Sequence, residues 1–403
     1  MNQKEQMISQ AEQSFYKTYN RYPVIFESGK GVCLYDSEGQ EYLDFGAGIA
    51  VLALGHSDEA FNQAVKGQLD RLVHISNLFY NQPSIDAAEK LLAASGMDRV
   101  FFTNSGTEAV EGALKIAKRY AYDRGMAPDY EIIAMNHSFH GRSLGALSVT
   151  GNNHYREPFA PLIPGIRFAE FNNLDSVKAL MNDKTCAVIM ETIQGEGGIY
   201  PATKEFLEGV RKLCDRQGAL LILDEIQCGM GRTGMMFAWQ NYGVRPDVMT
   251  VAKALGNGVP VGAFLASGAA AGAMVPGDHG TTYGGNPLVC TAVSTVFDLF
   301  AGRDILGHVK VIAPYLEKKL KELTEKYDII KEWRGTGLIQ GLEFTIPVAG
   351  LVKTALLEQK LVLIGAGSHV IRFVPPLVIE TTDVDLMIIK LEAAINTIIQ
   401  ETE

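Results

Sequence analysis

The chain has 403 residues, 47% of them apolar and 20% charged, and its 36 Lys and Arg stand against 46 Asp and Glu for a net charge of −10. That length allows two or three core-forming units, and the composition is that of a globular protein. The acidic balance argues against a nucleic-acid partner and leaves no basic stripe for a membrane surface, so a cytoplasmic protein acting on small metabolites is expected.

Residues 1–50 open with a polar, helix-compatible stretch and continue as short strands divided by turns at Gly29-Lys30-Gly31 and Ser37-Glu38-Gly39. The first residues have no signal-peptide core, and no apolar run is long enough for a membrane span. Glycines at 46, 48 and 55 loosen the chain before a mostly helical region to about residue 95. From residue 99 strands alternate with helices. Strands are expected at 100–103, 131–135, 187–191, 220–224, 248–251 and 262–266. In one intervening helix Phe206, Val210, Leu213 and Cys214 share a face, and Gly218 supplies a left-handed stop. Such repeats predict an α/β fold with a mainly parallel sheet covered by helices on both faces. Beyond about residue 300, an amphipathic helix, strands at 338–344, 361–363 and 370–374, and a last helix begun by Thr382 with Asp385 as its capping partner predict a smaller α+β unit. Five scattered cysteines without CxxC spacing read as reduced thiols.

The chemistry gathers at strand exits. The run 220–224 ends in Asp224 and Glu225, and Lys253 follows the next apolar strand, so two parallel neighbours bring a carboxylate and an amine to the sheet edge where open α/β folds bind ligands. Lys253 lies between Val251-Ala252 and Ala254-Leu255, a setting that lowers an amine's pKa and suits attack on a carbonyl. Ser105-Gly106-Thr107-Glu108 opens a helix; it is a capping box at the least, and its free N–H groups suit a phosphate. Phe139 reads as core or as a ring stacked on a cofactor, and Arg142 as a solvated charge or a ligand clamp. His137 and His140 lack the further ligands a metal needs, and no metal site is expected. Glu191 and Glu196 share a glycine-rich loop. Arg372, inside an apolar strand, needs a carboxylate partner or a ligand. Lysine, strand-end acid and phosphate cradle together fit pyridoxal 5′-phosphate.

The stretches NSGTEA (104–109), FHGR (139–142), ETIQGEGG (191–198), DEIQCGMGRTG (224–234), TVAKALGNG (250–258), TTYGGNP (281–287) and IRFVPP (371–376) resemble, in order and over nearly the whole chain, the class III aminotransferases. Length and the run Ser76-Asn77-Leu78-Phe79-Tyr80 bring the chain closest to their acetylornithine-specific branch. The resemblance implies a fold-type I transferase with a large cofactor-binding domain over 51–300 and a smaller domain made by 1–50 and 301–403. It implies that Lys253 bonds the cofactor's aldehyde and later shuttles a proton, while Asp224 holds the ring nitrogen. Gln227 meets the phenolic oxygen, Phe139 and Ile226 flank the ring, and Ser105, Gly106 and Thr107 bind phosphate with Thr282 of a second copy in a homodimer. Arg142 then clamps the α-carboxylate of acetylornithine. Arg372, masked by Glu196 in that state, is released to grip 2-oxoglutarate. Ile49 stands where ornithine-specific relatives have a tyrosine, which favours an acylated donor, and Leu52 stands where asparagine is usual. Succinylornithine, ornithine and 4-aminobutyrate transaminases, a mutase on the same fold and a non-catalytic cofactor binder are the alternatives.

Overall fold

The computed structural model describes residues 3–402. At its centre is a seven-stranded sheet in the order Arg99–Thr103, Gly262–Ala266, Val248–Val251, Leu220–Asp224, Thr185–Glu191, Glu131–Met135, Ile166–Ala169. Every residue of the strands from 131, 185, 220, 248 and 262 is buried, as a sheet covered on both faces requires. Each Leu, Ile or Val so enclosed contributes about 1.5–3 kcal/mol relative to exposure.

Four of the strand pairs are parallel, but Gly262–Ala266 runs antiparallel to both of its neighbours. The reason is the connection. Residues 252–261 form tight turns with no crossover helix, and so short a link turns the chain back instead of carrying it round to a parallel start. As a result Thr103, the start of Gly262–Ala266, Val251, Asp224 and Glu191 all lie along one edge of the sheet, and the glycine-rich loops leave from it.

Local chemistry fixes the helix that faces this edge. Ser105 caps Gly106–Asp123 by accepting the Glu108 N–H at 3.3 Å, yet the Glu108 carboxylate turns to the Asn104 N–H at 2.7 Å, so the expected box closes one residue early. Thr203 caps Lys204–Gln217, and Gly218 ends it at φ 69° as the sequence implied. The last helix, Thr381–Thr402, starts earlier than expected: Asp383 accepts the Glu380 N–H, while Asp385 bonds Tyr315 and pairs with Lys319.

Phe26–Lys30, Cys33–Asp36 and Glu41–Asp44 make a meander that Leu361–Val362 joins in parallel, tying the first residues to the last hundred. Ile330–Thr336, Ile339–Phe344, Val370–Phe373 and Ile364–Ala366 form a separate antiparallel sheet. Among the described residues no helix is long and apolar enough to cross a membrane.

Gly112 illustrates how tightly the helix Gly106–Asp123 sits on the sheet: a Cβ there would lie 2.1 Å from the Phe264 ring. Alanine gains about 1 kcal/mol in helix propensity, but overpacking a buried ring costs about 1–3 kcal/mol. Gly112→Ala is expected to lower the denaturation midpoint without changing the m-value; a raised midpoint would show that the contact relaxes freely.

Candidate active site

A cavity of about 450 Å³ opens at the carboxyl edge of the sheet and is lined by Ser105, Gly106, Thr107, Phe139, Arg142, Asp224, Ile226, Gln227 and Lys253. The strands from 220 and 248 are parallel neighbours, with Asp224 opposite Thr250. This register seats the acid. Asp224 is buried; its Oδ1 accepts the Thr250 hydroxyl and the Ile226 N–H, each at 3.0 Å, and its Oδ2 lies 2.7 Å from His140 Nδ1. Glu225 points to the opposite face, where Thr192 and the N–H groups of Ala238 and Trp239 hold it as a structural carboxylate.

In the sequence His140 stands out only as half of a metal pair. In the structure it is fully buried and bonded to Asp224, whereas His137 is exposed, and among the described residues no cluster of three or more His, Cys, Asp or Glu has the arrangement of a metal site. Burial opposes protonation of the imidazole, but the bond to Asp224 and the acid's charge outweigh it and move the His140 pKa upward. Its Nε2 has no hydrogen-bond partner. Glu191, one of the two carboxylates noted on the glycine-rich loop, lines the cavity and accepts the N–H groups of Phe139 and Gly195 at 3.0 Å each. Burial, with Asp224 nearby, lifts its pKa to about 7 against the pull of His140.

Lys253 leaves its strand in a left-handed turn, φ 51°, an uncommon conformation for a side chain of this length and of the kind that gathers at functional sites. Its surface is open only to the cavity; burial, reinforced by the Arg372 charge, brings its amine down to about 8.

The phosphate end is a cradle from which side chains are excluded. The N–H groups of Gly106 and Thr107 precede the first bond of their helix and have no partner within it. A Cβ on Gly106 would lie 2.8 Å from Ile226, and one on Gly262 would lie 2.4 Å from the Ser105 carbonyl. The Thr107 hydroxyl, expected as a ligand, also organises the loop opposite: it lies 2.9 Å from the Ser143 hydroxyl and accepts the N–H groups of Arg142 and Ser143.

At the mouth, Arg142 is exposed and its guanidinium lies over the rings of Tyr155, at 3.9 Å, and Phe139, at 5.3 Å. Nothing in the sequence around Tyr155 marks it for this place. Deeper, Arg372 Nη1 donates to Glu196 Oε1 at 2.6 Å and to Gln227 Oε1 at 2.7 Å. Gln227 thereby keeps its amide N–H₂ as its donor, and that group reaches Glu196 Oε1 at 3.5 Å. Burial opposes ionisation of Glu196, but the charge of Arg372 and the bond to it prevail and hold the carboxyl below its usual range.

Glu196 sits at the tip of a hairpin formed by Ile193–Gln194 and Tyr200–Pro201. The tip is strained: Gly198 has φ 117° and the buried Ile199 has φ 59°, a conformation that costs a β-branched residue about 1–3 kcal/mol. Thr282 is exposed and outside the cavity wall of this chain, and so is Ile49, which lies in a turn where Ala47, Gly48, Ile49 and Ala50 all have positive φ. Leu52 packs toward Gly258, and Val51 is the member of that stretch that lines the cavity.

A helix N-terminus with unpaired N–H groups, a buried acid and a lysine of lowered pKa on one sheet edge are the features of a fold-type I pyridoxal-phosphate enzyme. The family model for class III aminotransferases matches residues 15–395, and the chain belongs to that family. It is similar to an acetylornithine aminotransferase of Clostridium acetobutylicum, 47% identical over 91% of this chain and 95% of that one. A second relative is an acetylornithine aminotransferase of Methanocaldococcus jannaschii, 43% identical over 98% and 99%. Among solved structures, an ornithine aminotransferase of Toxoplasma gondii superposes with a TM-score of 0.94 at 30% identity, covering 100% of this chain and 97% of its own.

The lysine's setting predicts a titration. In the apoprotein, reductive methylation of Lys253 by formaldehyde should rise with pH and reach half its maximum at about 8, because only the neutral amine attacks and its pKa is lowered from 10.5. A midpoint near that of ordinary lysines would contradict the burial argument.

Proposed function

We propose that the protein moves the δ-amino group of N2-acetyl-L-ornithine to 2-oxoglutarate, giving N-acetyl-L-glutamate 5-semialdehyde and L-glutamate, as a cytoplasmic homodimer. The observation that carries the reading is the Glu196–Arg372 pair of 2.6 Å, joined through Gln227 to the wall of the lysine's pocket, with a second arginine, Arg142, elsewhere in that wall. A donor with one carboxylate far from its reacting amine binds Arg142 while Glu196 keeps Arg372 neutralised. A dicarboxylate acceptor needs both arginines, so Glu196 must leave. The two relatives named for acetylornithine, at 47% and 43% identity, support the choice of donor.

Pyridoxal phosphate, when bound, supplies an aldehyde for the donor's amine and a protonated ring that takes up the electron pair left on carbon when a proton departs. Asp224, oriented by Thr250, Ile226 and His140, would face the ring nitrogen and hold its proton there. Gln227 would present an N–H to the phenolic oxygen, and Phe139 and Ile226, which line the cavity, would flank the ring. The N–H groups of Gly106 and Thr107 and the Ser105 hydroxyl receive the phosphate. Lys253 Nζ takes the proton from the donor carbon that bears the transferred amine, a task suited to a pKa of about 8. Thr282 contributes from the second copy; its exposure, together with that of Leu78, Phe79, Tyr80 and Tyr283, leaves an apolar surface for that copy to cover.

The test is a panel of single half-reactions followed by the cofactor's absorbance, with acetylornithine, succinylornithine, ornithine and 4-aminobutyrate as donors. Acetylornithine should give the highest kcat/KM; a preference for 4-aminobutyrate or free ornithine would overturn the donor assignment. Lys253→Ala should reduce turnover by at least about 10²–10⁴-fold, the usual worth of a positioned acid–base group, and unchanged turnover would remove Lys253 from the chemistry.

A further inference from the structure

The dual use of Arg372 raises a mechanical question that the site residues alone leave open: what keeps the Glu196 hairpin in place when its ion pair opens. In the antiparallel sheet 330–373, Arg334 is registered opposite Gly341, and Gly341 opposite Arg372. Residues paired in this way project from one face, so two arginines flank a glycine on a single rung. The hairpin tip rests on all three positions. Arg372 holds the Glu196 carboxylate, and Ile199 fills the space above Gly341, where a Cβ would lie 3.1 Å from its Cγ1. Arg334 Nε donates to the Gly198 carbonyl at 2.7 Å.

The Arg334 contact is built differently from the Arg372 one. The Arg334 guanidinium is stacked 3.9 Å from the Tyr200 ring, and its charge is met by Glu332 and, at 2.6 Å, by Glu343. None of these groups bonds Arg372, Glu196 or the cavity residue Gln227, so the contact does not depend on which carboxylate Arg372 holds. Gly198 is required on its side: it has φ 117°, and a Cβ would meet Tyr200 at 3.0 Å and Arg334 at 3.2 Å. One arginine thus makes an exchangeable contact with the hairpin and the other a fixed one, two residues apart along it.

We propose that Arg334 is a positioning residue for the exchange at Arg372: it pins the Gly198 carbonyl to the rung that carries Arg372, so that only the Glu196 side chain moves and its carboxylate returns at high effective concentration. This rests on the proposed masking of Arg372 by Glu196. Without the pin the hairpin tip wanders, Glu196 competes less well for Arg372, and dicarboxylates gain at the expense of the acylated donor. The loss of one charge-assisted bond sets the scale at roughly tenfold.

The experiment is a double-mutant cycle on the holoenzyme with glutarate, an unreactive dicarboxylate, as the probe, its Kd read from the cofactor's absorbance, alongside both half-reactions. Arg334→Ala should tighten glutarate binding by about tenfold and reduce kcat/KM for acetylornithine more than for 2-oxoglutarate, and it should have no further effect on glutarate once Glu196→Gln is present. An unchanged glutarate Kd, an equal loss in both half-reactions, or the same effect in the Glu196→Gln background would overturn the proposal and mark Arg334 as a stability contact. If Glu196→Gln itself leaves glutarate binding unchanged, the masking reading fails, and the proposal with it. Should Arg334→Ala not fold, Tyr200→Leu removes the ring under the guanidinium and is held to the same outcomes, with a smaller shift in the same direction.

Discussion

The arrangement of the site depends on one buried carboxylate. Asp224 ends a central strand with almost no solvent contact, and Thr250, Ile226 and His140 supply the hydrogen-bond donors that a buried carboxyl group in that position needs. Leaving such a group without a donor costs about 1–3 kcal/mol or more. Those donors come from the neighbouring strand's register, from the turn after the acid, and from a loop that leaves a different strand. The sheet order therefore fixes the charge, and the charge fixes where a protonated ring nitrogen can lie. His140, which also lines the cavity, completes this: its bond orients Oδ2, and its Nε2 has no hydrogen-bond partner.

A further constraint concerns positive charge. Lys253 and Arg372 share one enclosed region, and the arginine contributes to the lysine's lowered pKa after burial itself. Glu196 relieves that repulsion while it sits on Arg372. Under the proposed masking, a substrate carboxylate in place of Glu196 would relieve it equally and leave the local charge balanced.

Much of this is legible in the residues. The strands from 131, 220, 248 and 262 are continuous apolar runs with polar or glycine borders, and their limits follow from the sequence because burial on both faces leaves no other pattern. Ile166–Ala169 and Ile330–Thr336 are not legible in this way: Arg167 interrupts one, and in the other Lys331-Glu332-Trp333-Arg334 has the polarity of a solvated loop. The residues proposed for the lysine, acid and phosphate roles stand out because their types are uncommon at strand exits. Their partners do not: His140 reaches Asp224 across 84 positions of sequence, and Arg334 reaches Gly198 across 136. Contacts of that kind follow from sheet order and register, which local pattern does not encode. The antiparallel strand Gly262–Ala266 belongs with them; only the brevity of the link before it gives a signal.

The central claim is that a charged Asp224 holds the cofactor's ring nitrogen protonated. Nitrogen NMR of the holoenzyme carrying ¹⁵N-labelled pyridoxal phosphate reads that proton directly. The geometry predicts a pyridinium signal that persists from mildly acidic to mildly alkaline solution and is lost in Asp224→Asn. A neutral-pyridine signal in the unaltered protein near neutrality would contradict it.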